Sequence, residues 1–383
     1  MANELPFTME EYQRRLTLVR ARMAARNLDT LLVVNPASCN YLTGYVTFAV
    51  GAYQCLVVPR EGALSLLTFE LELPGVFLSS WIEDGVAYVS GEDPLEATRK
   101  LLERRGLVRG RIGIERDSNF MPVERYLRLV ASLDGCRLED GSRIVAETMH
   151  TKSPAELEMI RQAARITAQG MSAAIGAVRA GVTDNDVAAA AYAAMIAAGS
   201  EFMCIDPIVT TGMRSGVPHT THRRVRIEPG DPVWIELGAC YQRYSAPLMR
   251  TVFVGEPSRE VQALADASLA ALRTVMSTAR PGITAEAVAA EGRKALPLDD
   301  PSVVFHHTYG YSIGLGLPPE WSDDMLLRFR KGNTTVLEPG MVFHATMGLR
   351  RRGRYGAVCS ETIVVTETGS EALTDFPRQY FYC

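Results

Sequence analysis

The chain has 383 residues, a formal net charge of -4 and 47% hydrophobic residues, a composition that is ordinary for a globular protein. The small negative charge gives no basis for binding to nucleic acid or to a membrane surface. No apolar run is long enough for a membrane helix, and the N-terminus lacks the layout of a signal peptide. Seven cysteines are scattered singly, a pattern that is typical of reduced thiols. We therefore expect a cytoplasmic protein of about two domains.

The first part of the chain predicts a small α/β domain with a partly parallel sheet. Apolar residues recur at helical spacing over residues 10–27, and residues 28–34 form a short apolar run that is typical of a buried strand. Further strand-like and helix-like runs then alternate up to about residue 146. The segment 35–45, NPASCNYLTGY, contains the Asn, Pro, Ser and Gly residues that mark a loop.

A domain boundary is predicted near residue 150. Ser153, Pro154 and Glu156 form the N-cap, first-turn proline and capping box of a helix, whose apolar positions continue to residue 178 and which stops before Gly181. We therefore assign residues 1–150 to the first domain and residues 151–383 to the second.

The second domain contains an internal repeat. Residues 179–189 match residues 280–290 at an offset of 101, and residues 227–236 match residues 337–346 at an offset of 110. Coincidence in Ala- and Gly-rich sequence is the alternative explanation. Two matches in the same order instead predict an α+β domain built twice from helix, helix and β-hairpin around a pseudo-two-fold axis.

A predicted hairpin over residues 217–254 carries the first candidate for chemistry. Glu236 lies in the otherwise apolar strand VWIEL, where a carboxylate is costly unless it is paired or used. An ion pair with Arg250 on the returning strand is the structural alternative. Because alternate strand residues share a face, we expect Glu236 to meet His344 and Thr346, which lie on the repeat-related strand, across a central cavity.

These motifs together resemble the pita-bread family (M24) of aminopeptidase P, prolidase and creatinase. The similar segments are NYLTGY, the EPGD strand with its RTVFVG return, and LEPGMVF, and they extend over nearly the whole chain. The resemblance implies a creatinase-like α/β N-terminal domain and a pita-bread catalytic domain. It also implies a homodimer in which the first domain of one subunit closes the pocket of the other.

The peptidases of this family hold two metal ions, and the resemblance places their ligand positions here on residues of mostly unsuitable type. These positions are Glu236, Pro247, Tyr311, Thr346 and Ser360. One acid cannot replace the several anionic or imidazole donors that two divalent cations need. The chain instead resembles the metal-independent branch, which includes creatinase and ectoine hydrolase, and we expect no cofactor.

Several segments favour the ectoine hydrolase pattern over that of creatinase. They are PH at 218–219, RYSAPLMRT, GYSIGLGLPPEW, FHATMGL and SETIVVTETG. Creatinase carries a glutamate where Met249 stands here. Position 222 is His where the resemblance leads us to expect Trp, and the segment from Phe48 to Tyr53 lacks the expected larger aromatics. These are pocket-lining positions, so the chemistry is expected to be kept while the substrate stays open.

The resemblance assigns roles to individual residues. His219 is the candidate general base, because an imidazole with a pKa near about 6.5 suits proton transfer at neutral pH; a loop histidine bound to backbone is the alternative. Glu236 and Glu361 are the candidate carboxylates. The candidate substrate-binding residues are His344, Tyr311, Arg330, His222, Phe48 and Tyr53. Core packing is the alternative for His344 and Tyr311, and solvation is the alternative for Arg330.

A site without metals suits a substrate that is already electrophilic. An amidinium or guanidinium carbon carries positive charge and needs only an activated water and anions that hold the cation. We therefore predict hydrolysis of a non-peptide C–N bond in a small amidine or guanidine that carries a carboxylate, with ectoine as the leading candidate. The alternatives are a metallo-aminopeptidase with an altered site and a catalytically inactive binding module.

Overall fold

The structure is a computed structural model that describes residues 4–324 and 326–383. The chain divides into two compact units, Met1–Met149 and His150–Cys383. None of the helices in the described part of the chain combines the length and the apolar character that a bilayer crossing requires.

The first unit is a six-stranded mixed sheet with helices. Its helices are α1 (Met9–Ala25), α2 (Pro36–Thr43), α3 (Leu73–Ser79), α4 (Pro94–Arg104), α5 (Val123–Ser132) and α6 (Ile144–Met149). Its strands are β1 (Thr30–Val33), β2 (Cys55–Pro59), β3 (Ser65–Phe69), β4 (Asp84–Tyr88), β5 (Arg111–Ile114) and β6 (Arg137–Asp140). The strand order is β4-β3-β2-β1-β5-β6, with β2 antiparallel to both β1 and β3 and the other pairs parallel. The partly parallel sheet agrees with the sequence prediction.

The segment 35–45, predicted as a loop, is mostly the helix α2, so that prediction was wrong. Asn35 is the N-cap, and its side chain accepts a hydrogen bond from the amide of Ala37. Pro36 occupies the first turn, and Gly44 ends the helix at a φ of 85°, which favours glycine. The residues that suggested a loop are therefore the start and stop signals of a short helix.

The second unit contains four helices and three sheets among the described residues. The helices are α7 (Pro154–Ala177), α8 (Asp184–Ala197), α9 (Arg259–Thr278) and α10 (Ala285–Lys294). The strands are β7 (Ile208–Thr211), β8 (Pro232–Tyr241), β9 (Tyr244–Phe253), β10 (Val303–Val304), β11 (Tyr311–Ser312), β12 (Val342–Thr346), β13 (Leu349–Arg351), β14 (Tyr355–Ala357), β15 (Ser360–Val365), β16 (Ser370–Ala372) and β17 (Phe381–Tyr382). The sheet orders are β17-β9-β8-β7, β11-β12-β15-β16 and β10-β13-β14. The capping box of Ser153 and Glu156 begins α7 as predicted.

Matching hydrogen bonds identify the internal repeat in three dimensions. The amide of Gly181 donates to the carbonyl of Ile227, and the amide of Gly282 donates to the carbonyl of Leu337. Thr183 caps α8, and Thr284 caps α10 in the same way. Each half therefore places two helices and a pair of antiparallel strands in the same local arrangement.

Arg250 joins the β9 strand of one half to the β15 strand of the other. Its guanidinium donates to a carboxylate oxygen of Glu361 at 2.6 Å and to the carbonyl of Ser360 at 2.6 Å. The side chains of Arg250 and Glu361 are both fully buried, and Thr374 donates to the second carboxylate oxygen. Arg250 lies opposite Ile235 in the β8–β9 register, whereas Glu236 lies opposite Met249. The alternative ion pair between Glu236 and Arg250 is therefore wrong, because the two side chains leave opposite faces of the sheet.

Removal of one partner from this buried pair should destabilise the second unit. Glu361→Ala leaves an uncompensated guanidinium in the interior, for which we expect a loss of about 3–5 kcal/mol. The matched control is Glu371→Ala in β16, because Glu371 is exposed and only 3.6 Å from the half-exposed Arg161. That variant should change stability by less than about 0.5 kcal/mol. Thermal unfolding of the full chain measures both, and equal melting temperatures would contradict the structural role of Glu361.

Candidate active site

Glu236 lies on the face of β8 that points away from Arg250, in a group of polar and aromatic side chains. Its carboxylate is partly buried and accepts a hydrogen bond from Trp234. The Arg350 guanidinium lies 4.1 Å from the centroid of the Trp234 ring, a cation–π contact that holds its positive charge beside Glu236. Loss of solvation raises the pKa of Glu236 to about 7, against the opposing influence of Trp234 and Arg350. The carboxylate is therefore poised to change its charge near neutral pH.

His219 reaches the same group from the segment that precedes β8. Its φ of 56° lies in the left-handed region, which is uncommon for a residue with a side chain and often marks a functional site. The Arg350 guanidinium donates to Nε2 of His306 at 3.2 Å. Loss of solvation, together with the charges of Arg350 and His219, lowers the pKa of His306 to about 4. The structure thus brings His219, His306, Arg350 and Glu236 into one electrostatic neighbourhood.

A chain of hydrogen bonds leads from this neighbourhood into the interior. The Trp321 indole donates to the Tyr311 hydroxyl at 2.8 Å, and that hydroxyl lies 2.8 Å from Nδ1 of His344. Nε2 of His344 lies 2.7 Å from Oγ of Ser360, which accepts from the amide of Met249 at 2.8 Å. Loss of solvation raises the pKa of Tyr311 well above its ordinary value, with Glu236 the next cause, and burial lowers the pKa of His344 to about 3. Tyr311 and His344 are therefore neutral at physiological pH.

The internal repeat predicts that Glu236 meets Thr346 and His344. In the structure, Glu236 and Thr346 both lie next to Met249. Met249 lies directly opposite Glu236 in the β8–β9 register, and its sulfur accepts from the Thr346 hydroxyl at 3.2 Å. His344 lies on the same strand as Thr346 but is completely buried, with both ring nitrogens engaged. His344 is thus a supporting residue beneath Tyr311, and its predicted direct contact with substrate does not fit its burial.

Glu361, predicted as a second catalytic carboxylate, lies elsewhere. It is completely buried and bound to Arg250 and Thr374, on the side of the β9–β15 contact away from Glu236. Its neighbour Ser360 takes the position that faces His344. Alternation along β15 explains the result, because consecutive strand residues point to opposite faces.

Arg330, predicted to bind a substrate carboxylate, is exposed, and its backbone carbonyl accepts from the amide of Asn333. The backbone of Arg328, two residues earlier, forms an isolated β-bridge with that of Tyr311. The charge of Arg328 acts to lower the pKa of both Tyr311 and Glu320. Loss of solvation raises the pKa of Glu320, although Arg328 and His219 oppose the shift. Arg328 and Glu320 therefore add a second cation, besides Arg350, and a second carboxylate to the candidate site.

The remaining predicted contacts lie outside this group. Nδ1 of the half-buried His222 lies 2.9 Å from the Thr221 hydroxyl and 3.2 Å from the carbonyl of Pro207. Phe48 belongs to the first unit and is 79% exposed. Tyr53 is buried in the core of the first unit, with its hydroxyl 3.0 Å from that of Thr98. Its predicted place in a substrate pocket conflicts with this packing, whereas the roles of His222 and Phe48 stay predictions.

Sequence reasoning missed four charged or titratable members of the site: Arg350, His306, Glu320 and Arg328. Glu320 lies in the GYSIGLGLPPEW segment and Arg328 lies beyond its end, and no strand periodicity orients either side chain. Arg350 directly follows the FHATMGL motif, and His306 belongs to a histidine pair at 306–307. Those two local signals were available in the sequence.

The five positions at which the family resemblance places metal ligands offer few donors. Pro247 has no side-chain donor atom, and Tyr311, Thr346 and Ser360 present neutral hydroxyls. Within residues 4–324 and 326–383, no group of three or more His, Cys, Asp or Glu side chains is arranged to hold a metal ion. The donor set does not fit a pair of divalent cations, which need several anionic or imidazole ligands.

Comparisons with known proteins agree with this architecture. The profile of metallopeptidase family M24 matches residues 158–367, and that of the creatinase/prolidase N-terminal domain matches residues 15–148. An ectoine hydrolase from Halomonas elongata is 30% identical, with 98% of each chain covered. A Xaa-Pro dipeptidase from Pyrococcus horikoshii is 27% identical over 93% of this chain and 95% of its own length.

Two solved structures match the whole fold. The dipeptidase PepE from Mycobacterium ulcerans has a TM-score of 0.83 at 25% identity and covers 98% of this chain and 99% of its own. The prolidase from Pyrococcus horikoshii has a TM-score of 0.82 at 26% identity and covers 95% of this chain and 99% of its own. The predicted combination of a creatinase-like first domain and a pita-bread second domain is thereby confirmed.

The raised pKa of Glu236 predicts a pH-dependent cost in stability. A carboxyl whose pKa rises from 4.5 to about 7 on folding binds its proton more tightly in the folded state, so stability falls as pH rises through this window. Glu236→Gln removes the titration, and its melting temperature should exceed that of the unsubstituted protein increasingly between pH 5 and about pH 8. Glu228→Gln, at an exposed position, is the control. A Glu236→Gln advantage that does not change with pH would contradict the shift.

Proposed function

Because the chain belongs to metallopeptidase family M24, whose profile covers most of its second domain, we propose that it is a hydrolase of a non-peptide C–N bond that works without metal. The proposed substrate is a small amidine or guanidine that carries a carboxylate. Ectoine is the leading candidate, and its ring opening would give N-acetyl-diaminobutyrate. The observation that carries the proposal is that Glu236, with the Arg350 charge beside it, is the one acid at the five positions where the family resemblance places metal ligands.

The charges of the site suit a substrate that has a cation at one end and an anion at the other. Glu236, at a pKa of about 7 without ligand, becomes a stable carboxylate when an amidinium lies against it, because an adjacent positive charge favours the ionised form. Glu320 is the second carboxylate within reach of His219 and Arg328. Arg328 is the proposed partner of the substrate carboxylate, since a guanidinium binds a carboxylate in a bidentate geometry.

The proposed reaction begins with proton removal from a water by the imidazole of His219. The oxygen of that water bonds to the amidinium carbon and forms a tetrahedral intermediate. The imidazolium then returns the proton to the departing nitrogen. As the C–N bond breaks, the hydroxyl of the intermediate gives up its proton, which the imidazole passes to the departing amine, so that an amide and an ammonium group remain. An amidinium carbon needs no Lewis acid to become electrophilic, and this agrees with a donor set that does not fit two divalent cations.

Turnover of ectoine by chelator-treated, metal-assayed protein is the direct test. We expect an NMR time course to show N-acetyl-diaminobutyrate, and His219→Ala to lower kcat by at least about 100-fold, since general base catalysis contributes on that order. The matched control is His222→Ala, whose imidazole is held by Thr221 and Pro207. Its predicted role in substrate binding would raise KM and leave kcat within a few-fold. A His219→Ala variant that keeps its kcat would remove His219 from the role of base.

The same experiment separates the alternatives. Activity on Xaa-Pro dipeptides that disappears with chelator and returns with Mn²⁺ would favour a metallopeptidase, a possibility raised by the similarity to the Xaa-Pro dipeptidase. Saturable binding of ectoine without product would favour an inactive binding module. Absence of ectoine binding, with turnover of another guanidino or ureido acid, would keep the reaction class and change the substrate.

Arg328 and Arg330 form a matched pair of variants for substrate binding. Arg328→Ala should raise KM about 10- to 100-fold with little change in kcat, because the lost ion pair binds substrate and transition state alike. Arg330→Ala, at an exposed position two residues away, should leave both constants unchanged. The reverse pattern would show that Arg330 holds the substrate.

We also propose a cytoplasmic homodimer, as the single reduced cysteines and the family resemblance imply. All seven cysteines are unpaired. Light scattering of the purified protein would measure its mass, and a monomer at micromolar concentration would contradict the dimer.

A further inference from the structure

The hydrogen bonds beneath Tyr311 have two fixed ends. The amide of Met249 can only donate, and it donates to Oγ of Ser360; the Trp321 indole can also only donate, and it donates to the Tyr311 oxygen. Between these ends lie three groups whose protons can be arranged in two ways. They are the Ser360 hydroxyl, the His344 imidazole and the Tyr311 hydroxyl.

The first arrangement places the single imidazole proton on Nε2. His344 then donates to Ser360 and accepts from the Tyr311 hydroxyl, which turns the tyrosine proton away from the site. Ser360 would accept two hydrogen bonds and retain a proton of its own. Its side chain is completely buried, and Met249 and His344 are its partners among the described residues, so that proton would have no acceptor. A buried donor without an acceptor is destabilising, because it has lost its hydrogen bond to water and gained no other.

The second arrangement places the imidazole proton on Nδ1 and leaves no such orphan. Ser360 accepts from Met249 and donates to Nε2, so both of its functions are satisfied. His344 donates from Nδ1 to the Tyr311 oxygen, which also accepts from Trp321. The proton of Tyr311 must then point away from both partners. Tyr311 is half-buried and faces Glu236, Glu320 and Arg328, so this proton points into the candidate active site.

We propose that Ser360, acting through His344, fixes Tyr311 as a hydrogen-bond donor into the active site. Ser360 and His344 are positioning residues, because neither reaches open space, and Tyr311 is the group that touches the substrate. The assignment of the tautomer stands on hydrogen-bond geometry alone. The catalytic consequence rests on the proposed function: the Tyr311 proton binds the oxygen that the attacking water brings to the amidinium carbon.

A donor at this place suits the reaction better than a base would. The buried surroundings, and then the charge of Glu236, keep the phenol protonated, so that Tyr311 cannot remove a proton but can donate a hydrogen bond. The hydroxyl of the tetrahedral intermediate must lose its proton as the C–N bond breaks, and negative charge develops on that oxygen as the proton leaves. A donor whose direction is set before the reaction stabilises that charge without reorganisation, the same logic as an oxyanion hole.

The tautomer is measurable in the resting protein without any substrate. Long-range ¹H–¹⁵N correlation spectra distinguish an imidazole protonated on Nδ1 from one protonated on Nε2. The chain has six histidines, and the His344 signals are identified by their loss in His344→Gln. We expect His344 to be neutral and protonated on Nδ1 at pH 7. Protonation on Nε2 would overturn the proposal whatever the enzyme's substrate is.

A double-mutant cycle tests the consequence for catalysis. Tyr311→Phe removes the donor and should lower kcat about 100-fold with a small change in KM, as for the loss of an oxyanion donor. Ser360→Ala removes the hydroxyl that donates to Nε2 of His344 and so forces the tautomer, and it should therefore lower kcat about 10-fold although it lies away from the pocket. In the Tyr311→Phe background, Ser360→Ala should have no further effect on kcat.

The outcomes separate a positioning role from a structural one. Additive losses in the double variant, or a Ser360→Ala effect confined to melting temperature, would overturn the positioning role. Ser360→Ala spectra in which His344 shifts toward Nε2 protonation would support it even if the variant is less stable. If no amidine or guanidine is turned over while Nδ1 protonation is observed, the proposed function fails and the orientation of Tyr311 stands.

Discussion

The buried ion pair of Arg250 and Glu361 is the contact on which the candidate active site depends. It fixes β9 of one half-domain against β15 of the other, and the guanidinium also binds backbone carbonyls of Ser360 and of the chain near the C-terminus, at Pro377. The charges are fully removed from water, so the arrangement is stable only while every donor and acceptor is matched. The residues beside them in sequence, Met249 and Ser360, are thereby brought together on the opposite side.

The two half-domains have separate apolar cores, which makes this junction necessary. One core contains residues of α7, α8, β8 and β9, and the other contains residues of α9, α10, β12 and β15. A small cluster of Trp234, Met249 and Val358 lies between them. Directional contacts, which are the ion pair and the hydrogen bonds of Thr251 with Val358, therefore set the register between the halves. Such contacts specify geometry more sharply than apolar packing does.

Much of the fold could be predicted from the sequence because helix caps and strand periods are local signals. The capping box at Ser153, the repeat and the mixed first sheet are all of this kind. The positions of Glu361 and Arg330 could not be predicted in the same way. Glu361 differs from Ser360 only by one step of strand alternation, and nothing local says which of the two faces the pocket. Arg328 and Arg330 are separated by the strand period itself, so only the tertiary structure distinguishes them: Arg328 forms a β-bridge with Tyr311, and Arg330 is exposed.

The adjacency of Ser360 and Glu361 has a consequence for how such proteins diversify. On β15, Ser360 faces the candidate active site and Glu361 belongs to the buried ion pair that joins the two halves, so the two side chains point in opposite directions. A substitution at position 360 can therefore change the group that faces His344 while the buried ion pair behind it is undisturbed. Single substitutions can therefore change the chemistry of this site while the protein stays folded. This is a physical reason why hydrolases of different kinds can share one fold.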